Sequence, residues 1–504
     1  MEENNAVSGR KLLSNTAFYA FADLIGKGLH FILLPIYTAF LTTSDYGIQN
    51  MITSFNSVMN YIVLLCLDSA ALKFYSEYSN DKEKLKRFYG TAMTIVAAFA
   101  FIVVFLCLIL RSILERFVFK NIDFVPYVLM GLAVLAFDAE YTLHRRMLEA
   151  QQKGKKVATV GLCAVVFSSI TTLLMIGVLK LGAFGVLAAT LLTSIGTLVF
   201  SVVDILKNKM LTVCFDKGLA KNMLKYSLPL IPHQISGYLA ALIGRIFLNT
   251  TGSLAIVGLY SVATQFSSIV DVFQDATSRA FRPWLFSLLN GSTQIEENRI
   301  RNISNILMSL YSVVTVGIGL FAQEIIILMT AESYYGAWKV IPILAVSVSI
   351  KSVYYFYFAH CLFYHKTSRF IFIASLTANV INIIAAAILV PLIGMYGSAI
   401  ASICSITINS IIIYIINLRN EKIGFSLPAL VFRLTLSWIF LVVGVLPSYI
   451  KYSDGFSIVN AGYKILIMIT YLLVIFLINH KAVYEFVGVR NMKSLLQEIR
   501  RNRK

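Results

Sequence analysis

The chain carries little charge. Asp, Glu, Lys and Arg make up 13% of its 504 residues, against 58% hydrophobic residues and a mean hydropathy of +0.77. A water-soluble domain of this length needs far more polar surface to cover its core, so that class is excluded. Acidic groups are the scarcer sign: 25 Asp and Glu stand against 43 Lys and Arg, giving a formal net charge of +18. Cysteine is also scarce. Cys66, Cys107, Cys163, Cys214, Cys361 and Cys404 form no Cys-x-x-Cys pair, and all but Cys214 lie in apolar segments. They read as small apolar side chains in helices, not as a redox or metal motif. No metal-ligand spacing and no nucleotide-binding glycine loop occurs; Gly317-Ile-Gly319 sits inside an apolar run, and no cofactor or metal is expected. The apolar runs are continuous, not alternating, which excludes a transmembrane barrel. Residues 1–11 are acidic and then basic with no small-residue cleavage site after them, so no removable signal is expected.

What the chain has in abundance is apolar length. Segments such as 91–110, 157–179, 371–390 and 434–450 are close to the roughly 20 residues that cross a hydrocarbon layer about 30 Å thick. Only helices satisfy their own backbone groups there once barrels are excluded. The fold class is therefore an all-α polytopic membrane protein with about fourteen spans. Their approximate limits are 12–41, 46–72, 88–111, 125–147, 157–179, 184–206, 225–249, 255–285, 301–328, 338–362, 369–390, 395–417, 428–449 and 461–480. With the N-terminus on the cytoplasmic side, 33 Lys and Arg fall in cytoplasmic segments and 7 on the other side. That bias predicts that both termini are cytoplasmic. Each basic cluster is short and sits at a helix end, so no nucleic-acid partner is expected.

The chain repeats itself. Gly47, Thr53, Phe55 and Ser57 match Gly258, Thr264, Phe266 and Ser268 at a spacing of 211, and Gly182, Gly185 and Ala189 match Gly394, Gly397 and Ala401 at 212. This predicts two parallel six-span lobes, residues 1–206 and 225–417, joined by a linker at 207–224. Residues 418–480 supply two extra spans, and residues 481–504 a basic amphipathic cytoplasmic tail on the anionic inner leaflet.

Ionisable groups inside spans are functional candidates, because a charge at the bilayer centre costs about 2.5–3.5 kcal/mol on insertion scales. Asp23, Lys27 and His30 share one face of the first span. Arg245 lies in the seventh span with His233, Asp271 and Asp275 in the eighth, and Lys351 in the tenth. The expected substrate-binding groups are Lys27, Arg245, Lys351 and His30, with the three cations facing a wet space between the lobes and meeting phosphate oxygens. Asp23, Asp271 and Asp275 are candidates for proton or sodium coupling, or plain ion-pair partners. Asp68, Asp138, Glu140 and Asp204 fall nearer the cytoplasmic ends, where hydration or snorkelling would serve them. Pro229 and Pro232 interrupt the seventh span as a gate, a hinge or a static kink.

Asn15-Thr-Ala-Phe-Tyr, Leu34-Pro-Ile-Tyr-Thr, Ser44-Asp-Tyr-Gly, and the block from Tyr226-Ser-Leu-Pro-Leu-Ile-Pro-His-Gln-Ile-Ser-Gly through Arg245-Ile-Phe-Leu to Val257-Gly-Leu-Tyr-Ser-Val-Ala resemble bacterial polysaccharide-biosynthesis flippases. These belong to the multidrug/oligosaccharidyl-lipid/polysaccharide exporter superfamily. The resemblance covers the first twelve spans. It implies two lobes in a V around a cationic cavity, alternating access, and an oligosaccharide on undecaprenyl pyrophosphate as substrate. Membrane lipids and a glycan polymerase or glycosyltransferase are the partners it implies. An extra span pair implies a groove for the lipid tail. Gly244 departs from the pattern, since relatives often carry Asp before the matching Arg. A multidrug exporter of the same superfamily is the alternative, although that type has acidic cavity residues. A membrane glycan polymerase or transferase ranks third, because the external loops are short. For the topology, a reporter active only outside the cytoplasm, fused to Lys504, should give no signal; a strong signal would overturn the even span count.

Overall fold

The computed structural model describes residues 25–26, 28–29, 31–212, 215–289, 294–364, 367, 370–420, 425–453 and 455–487. Among these the chain is helical throughout its regular structure, with no strand. Twelve helical segments are long and apolar enough to cross a bilayer, which makes this a multi-pass membrane protein. Two further expected spans have other fates. The first, 12–41, lies largely outside the described residues and is represented by the short apolar helix α1 (Phe31–Phe40). The seventh is a 21-residue helix, Ile231–Thr251, with several polar side chains. The basic tail also lies outside the described residues beyond Val487.

Packing divides the chain into two units, one of Met1–Ser261 with Met329–Tyr334, the other of Val262–Leu328 with Tyr335–Lys504. The first unit contains α1, α2 (Thr43–Leu64), α3 (Leu67–Tyr78), α4 (Lys82–Ile109), α5 (Arg111–Phe117), α6 (Leu129–Ala150), α7 (Gly154–Leu173), α8 (Gly182–Lys207), α9 (Lys217–Ser227), α10 (Ile231–Thr251) and the first turns of α11 (Leu254–Leu289). The expected second span, 46–72, is two helices and not one. Leu65 and Cys66 adopt φ of 50° and 54°, so α2 and α3 meet at a left-handed break that apolar length alone does not reveal.

The motif Ser44-Asp45-Tyr46-Gly47 forms a joint. Thr42 caps α2 in a capping box: its hydroxyl accepts from Asp45 N–H, while Asp45 accepts from Thr42 N–H. The other Asp45 carboxylate oxygen accepts from Ala183 N–H at 3.1 Å, so one side chain caps α2 and α8 together. Tyr334 donates to the Leu41 and Thr42 carbonyls from the same region. The repeat-related glycines meet in space. A Cβ on Gly47 would lie 2.0 Å from the Leu254 carbonyl oxygen, and one on Gly258 would lie 2.0 Å from that of Thr43. The two helices therefore cross backbone to backbone, as only glycine permits.

The second unit continues α11 and adds α12 (Gln294–Leu320), α13 (Ala322–Met329, up to Leu328), α14 (Ile341–Phe363), α15 (Ile371–Ile393), α16 (Met395–Asn417), α17 (Leu427–Ile450) and α18 (Ile458–Val487). An aromatic-rich core of Phe281, Tyr311, Phe356 and Tyr357 with Leu430 and Leu434 joins α11, α12, α14 and α17. Outward side chains such as Leu392, Ile439 and Leu466 are exposed and apolar, as a lipid-facing surface requires. Gly394 precedes α16 at φ 55°, as Gly182 opens α8 at φ 54°, so both glycines of the second repeat pair take a positive φ.

The glycine crossing makes a prediction. Gly47→Ala and Gly258→Ala should each destabilise the purified protein by about 1–3 kcal/mol, the usual cost of overpacking. Gly161→Ala, where no atom lies within 4 Å, is the control. Equal melting temperatures for all three would show that the helices part without cost.

Candidate functional site

Arg245 stands on α10, which packs against α2. It is half-buried, and its Nη1 donates only a long 3.4 Å bond to the Ala241 carbonyl of its own helix. Its Nε is buried with no hydrogen-bond partner, and among the described residues no carboxylate pairs with it. The phenols of Tyr46 and Tyr260 are its electrostatic neighbours. Gly244, not an acid, precedes it on the helix.

Lys351 is placed differently. Its Nζ donates to Asp271 Oδ1 at 2.7 Å and lies 5.5 Å from the centre of the Tyr355 ring. Tyr355 in turn donates its hydroxyl to Asp275. Between them Gln274 donates to the Val348 carbonyl at 3.1 Å and to Ser352 Oγ at 2.8 Å. The spacing of three and four residues on both helices sets these groups on facing sides of α11 and α14. The structure thus brings Lys351, Asp271 and Asp275 into one seam, which two carboxylates and one ammonium leave acidic. Lys27, His30 and Asp23 lie outside the described residues. Pro232 occupies the first turn of α10 and Pro229 the 3₁₀ turn Leu228–Leu230 between α9 and α10, so both sit at a helix start, where a missing N–H costs nothing.

Two features carry no charge signature and escaped sequence reasoning. One is a polar cavity of about 450 Å³ inside the first unit, walled by Gln49, Asn56 and Asn60 of α2, Asp138 of α6 and the hydroxyls of Thr190 and Ser194 of α8. Gln49 Oε1, Asn56 Oδ1 and Asn60 Oδ1 are buried acceptors without partners. Their spacing of seven and four residues places them on one face of α2, a pattern legible in amides had only charges not been sought. The other is an apolar groove of about 540 Å³ between α12 and α18, lined by Leu310, Val313, Ile469, Leu473 and Phe476. At its polar end Arg433 is held by Ser309 Oγ, Asn479 Oδ1 and the Ala429 carbonyl. Lys464 is buried and pairs with Glu324 at 2.7 Å.

Asp204 also departs from expectation. It is buried, not hydrated: it accepts from Lys156, from Asn208 Nδ2 at 2.7 Å, and from His144 Nε2 at 3.2 Å. A carboxylate can only accept, so in the neutral ring His144 Nδ1 accepts in turn from the Tyr89 hydroxyl. The relay ties α4, α6, α7 and α8 together. Asp68 likewise is buried, 3.7 Å from Arg146.

Among the described residues the fold is all-helical and multi-span, with an arginine that no carboxylate pairs, a cavity lined in part by amides, and an apolar groove, and it defines a multi-pass membrane protein. The model of the polysaccharide biosynthesis protein family matches residues 12–289, more than half of the chain, and the chain belongs to that family. An uncharacterized membrane protein of Haemophilus influenzae is 20% identical over 376 residues, covering 73% of this chain and 88% of its own. The lipid II flippase MurJ in an inward closed conformation superposes with a TM-score of 0.70 at 15% identity, over 94% of this chain and 99% of MurJ. An inward-facing multidrug resistance MATE family transporter of the MOP superfamily follows the same fold, with a TM-score of 0.62 at 15% identity, over 80% of this chain and 98% of that one.

The Lys351–Asp271 pair is testable by a double-mutant cycle. Lys351→Ala and Asp271→Ala should each destabilise the protein more than their combination does, with a coupling of about 0.5–3 kcal/mol. Additive losses in thermal unfolding would show that the two charges do not stabilise each other.

Proposed function

We propose that this protein is a flippase, not an enzyme, that moves an undecaprenyl-pyrophosphate-linked oligosaccharide from the inner to the outer leaflet of the cytoplasmic membrane for surface polysaccharide synthesis. It works by alternating access of two six-span lobes, 1–206 and 225–417, with both termini cytoplasmic. The observation that carries this reading is Arg245. A half-buried guanidinium on a membrane helix, with a buried Nε lacking any partner, is costly to keep unless an anion meets it. A pyrophosphate supplies that anion, and an arginine fork binds its oxygens bidentately. A cationic drug would be repelled, which sets the multidrug reading second.

Family membership and the fold shared with a lipid II flippase support the same substrate class. The groove between α12 and α18 has the apolar lining that an isoprenoid tail needs, and one of its two walls, α18, is a span that the repeat does not supply. Lys27 and His30 join Arg245 as headgroup contacts. Lys351 acts with Asp271, so that it meets the substrate only by exchanging one anion for another. Asp271, Asp275 and Asp23 are the candidates for a coupling proton or sodium ion, and Pro229 and Pro232 flank the start of α10 as its hinge.

A strain lacking the protein should accumulate cytoplasmic lipid-linked oligosaccharide and lose surface glycan. Complementation with Arg245→Ala, at matched protein level, should leave export about tenfold or more below wild type, the effect of losing charge-assisted hydrogen bonds. Arg245→Lys should keep part of the activity, and Lys27→Ala should lose it. Normal surface glycan in the deletion strain overturns the proposal.

A further inference from the structure

Between α8 and α10 the chain makes a helix that transport as described above does not use. α9 has 11 residues, about 16 Å at 1.5 Å per residue, too few to cross a bilayer. Its two ends are tied to spans. At its start the Asp216 N–H donates to the Thr91 hydroxyl of α4 at 3.1 Å. Beside it, Gly90 leaves room for the Thr212 carbonyl, which a Cβ there would approach to 2.0 Å. Thr91 opens the apolar run 91–110 of α4. At its end α9 passes through the 3₁₀ turn Leu228–Leu230 straight into α10, which packs against the span that α2 begins. Both ends therefore stand at the border of the apolar layer, and α9 runs along that border.

The helix has two unlike sides. Leu219, Ala220, Met223 and Ser227 are buried, where α9 packs on α3 and α4. Lys217, Lys221 and Lys225 recur every four residues, which sets them in one row on the other side, and all three are exposed. The row is flanked by large apolar side chains: Phe215 before the helix is 54% exposed and Leu228 after it 45%. Exposed apolar groups beside a row of lysines compose a helix that lies in a membrane interface, with the ammonium groups reaching up to headgroup level. The described carboxylates of α3, α4 and their neighbouring caps are engaged elsewhere. Asp68 lies 3.7 Å from Arg146, Glu77 3.8 Å from Lys73 and Glu83 3.2 Å from Lys86. Asp81 caps α4, and Asp216 accepts from the Gly218 and Leu219 N–H groups of α9 itself.

We infer that α9 is an interfacial lipid-binding element whose lysine row takes the headgroup phosphates of anionic phospholipids. An ammonium on a flexible stem meets phosphate as a point charge and needs no enclosed pocket. Lysines about 6 Å apart along a helix reach separate phosphates instead of converging on one. Each cation held near an anionic leaflet adds its own attraction, so three in a row give a surface that selects by lipid charge. A soluble acidic partner would meet the same lysines but would leave Phe215 and Leu228 without an apolar layer to enter. The inference rests on α3, α4 and α9 and does not depend on the flippase reading.

The test uses the purified full-length protein in a neutral detergent. Thermal unfolding is followed while dioctanoyl phosphatidylglycerol, dioctanoyl phosphatidylcholine or soluble polyglutamate is titrated in. The phosphatidylglycerol should raise the melting temperature saturably, and the phosphatidylcholine should not. The triple variant Lys217→Gln, Lys221→Gln, Lys225→Gln should weaken half-saturation by phosphatidylglycerol about tenfold or more, as loss of three surface cations implies. The control triple Arg116→Gln, Lys120→Gln, Lys180→Gln removes the same charge from exposed positions away from α9 and should leave half-saturation near wild type. An unaltered response in the α9 triple, an equal loss in the control, or an equal rise with phosphatidylcholine overturns the site. Equal protection by polyglutamate overturns the lipid assignment. If the α9 triple does not fold, Lys221→Gln and wild type at raised salt carry the comparison. Wild-type half-saturation in both then overturns the site.

Discussion

Two glycine backbones in contact hold the first unit together. Gly47 and Gly258 each leave room for a carbonyl where a methyl group would stand 2.0 Å away, so α2 and the start of α11 approach closer than any side chain allows. In a bilayer no hydrophobic drive distinguishes helix from lipid, and close packing of this kind is what remains to fix one helix on another. The polar joint beside it depends on that approach. Asp45 reaches the start of α8 as well as its own helix, and Tyr334 reaches the carbonyls that precede α2. These capping bonds pair backbone groups that the starts of α2 and α8 would otherwise leave without a partner.

Much of this was legible in the sequence. Apolar length marked the spans, because the bilayer imposes one dimension on every helix that crosses it. The repeat also singled out related glycines: Gly182 and Gly394 both take a positive φ, and Gly47 and Gly258 meet. The break at Leu65–Cys66 was not legible, because neither residue favours positive φ and the apolar run continues across it. Nor was the pairing of charges. Lys351 and Asp271 are 80 residues apart, and only the packing of α14 on α11 makes them partners. The burial of Asp204 was missed for a related reason: a span's end is read from composition, while burial at that end is decided by neighbouring helices. The three groups of the first span, Asp23, Lys27 and His30, stay with the sequence argument alone.

The cations inside the spans divide by the company they keep. Lys464, Lys156 and Lys351 each have a carboxylate within bonding distance, and Arg433 has an amide and a hydroxyl. These are clamps. They hold helices in register, and removal of one partner leaves a buried charge behind. Arg245 has no such company among the described residues. The sequence ranked Lys351 and Arg245 alike, and geometry separates them: Lys351 bonds the Asp271 carboxylate, while among the described residues no carboxylate pairs with Arg245.

The polar chamber of the first unit has an electrical consequence. Its wall mixes amides and hydroxyls with apolar side chains, and Asp138 is the one carboxylate among the described residues of that lining. A membrane potential acts on moving charge, at about 2.3 kcal/mol per elementary charge per 100 mV. A neutral occupant rich in hydroxyl groups would satisfy the orphaned acceptors of Gln49, Asn56 and Asn60 and cross that depth with no work done by or against the field. A cation drawn to Asp138 would instead feel the whole fraction of the voltage that falls above it.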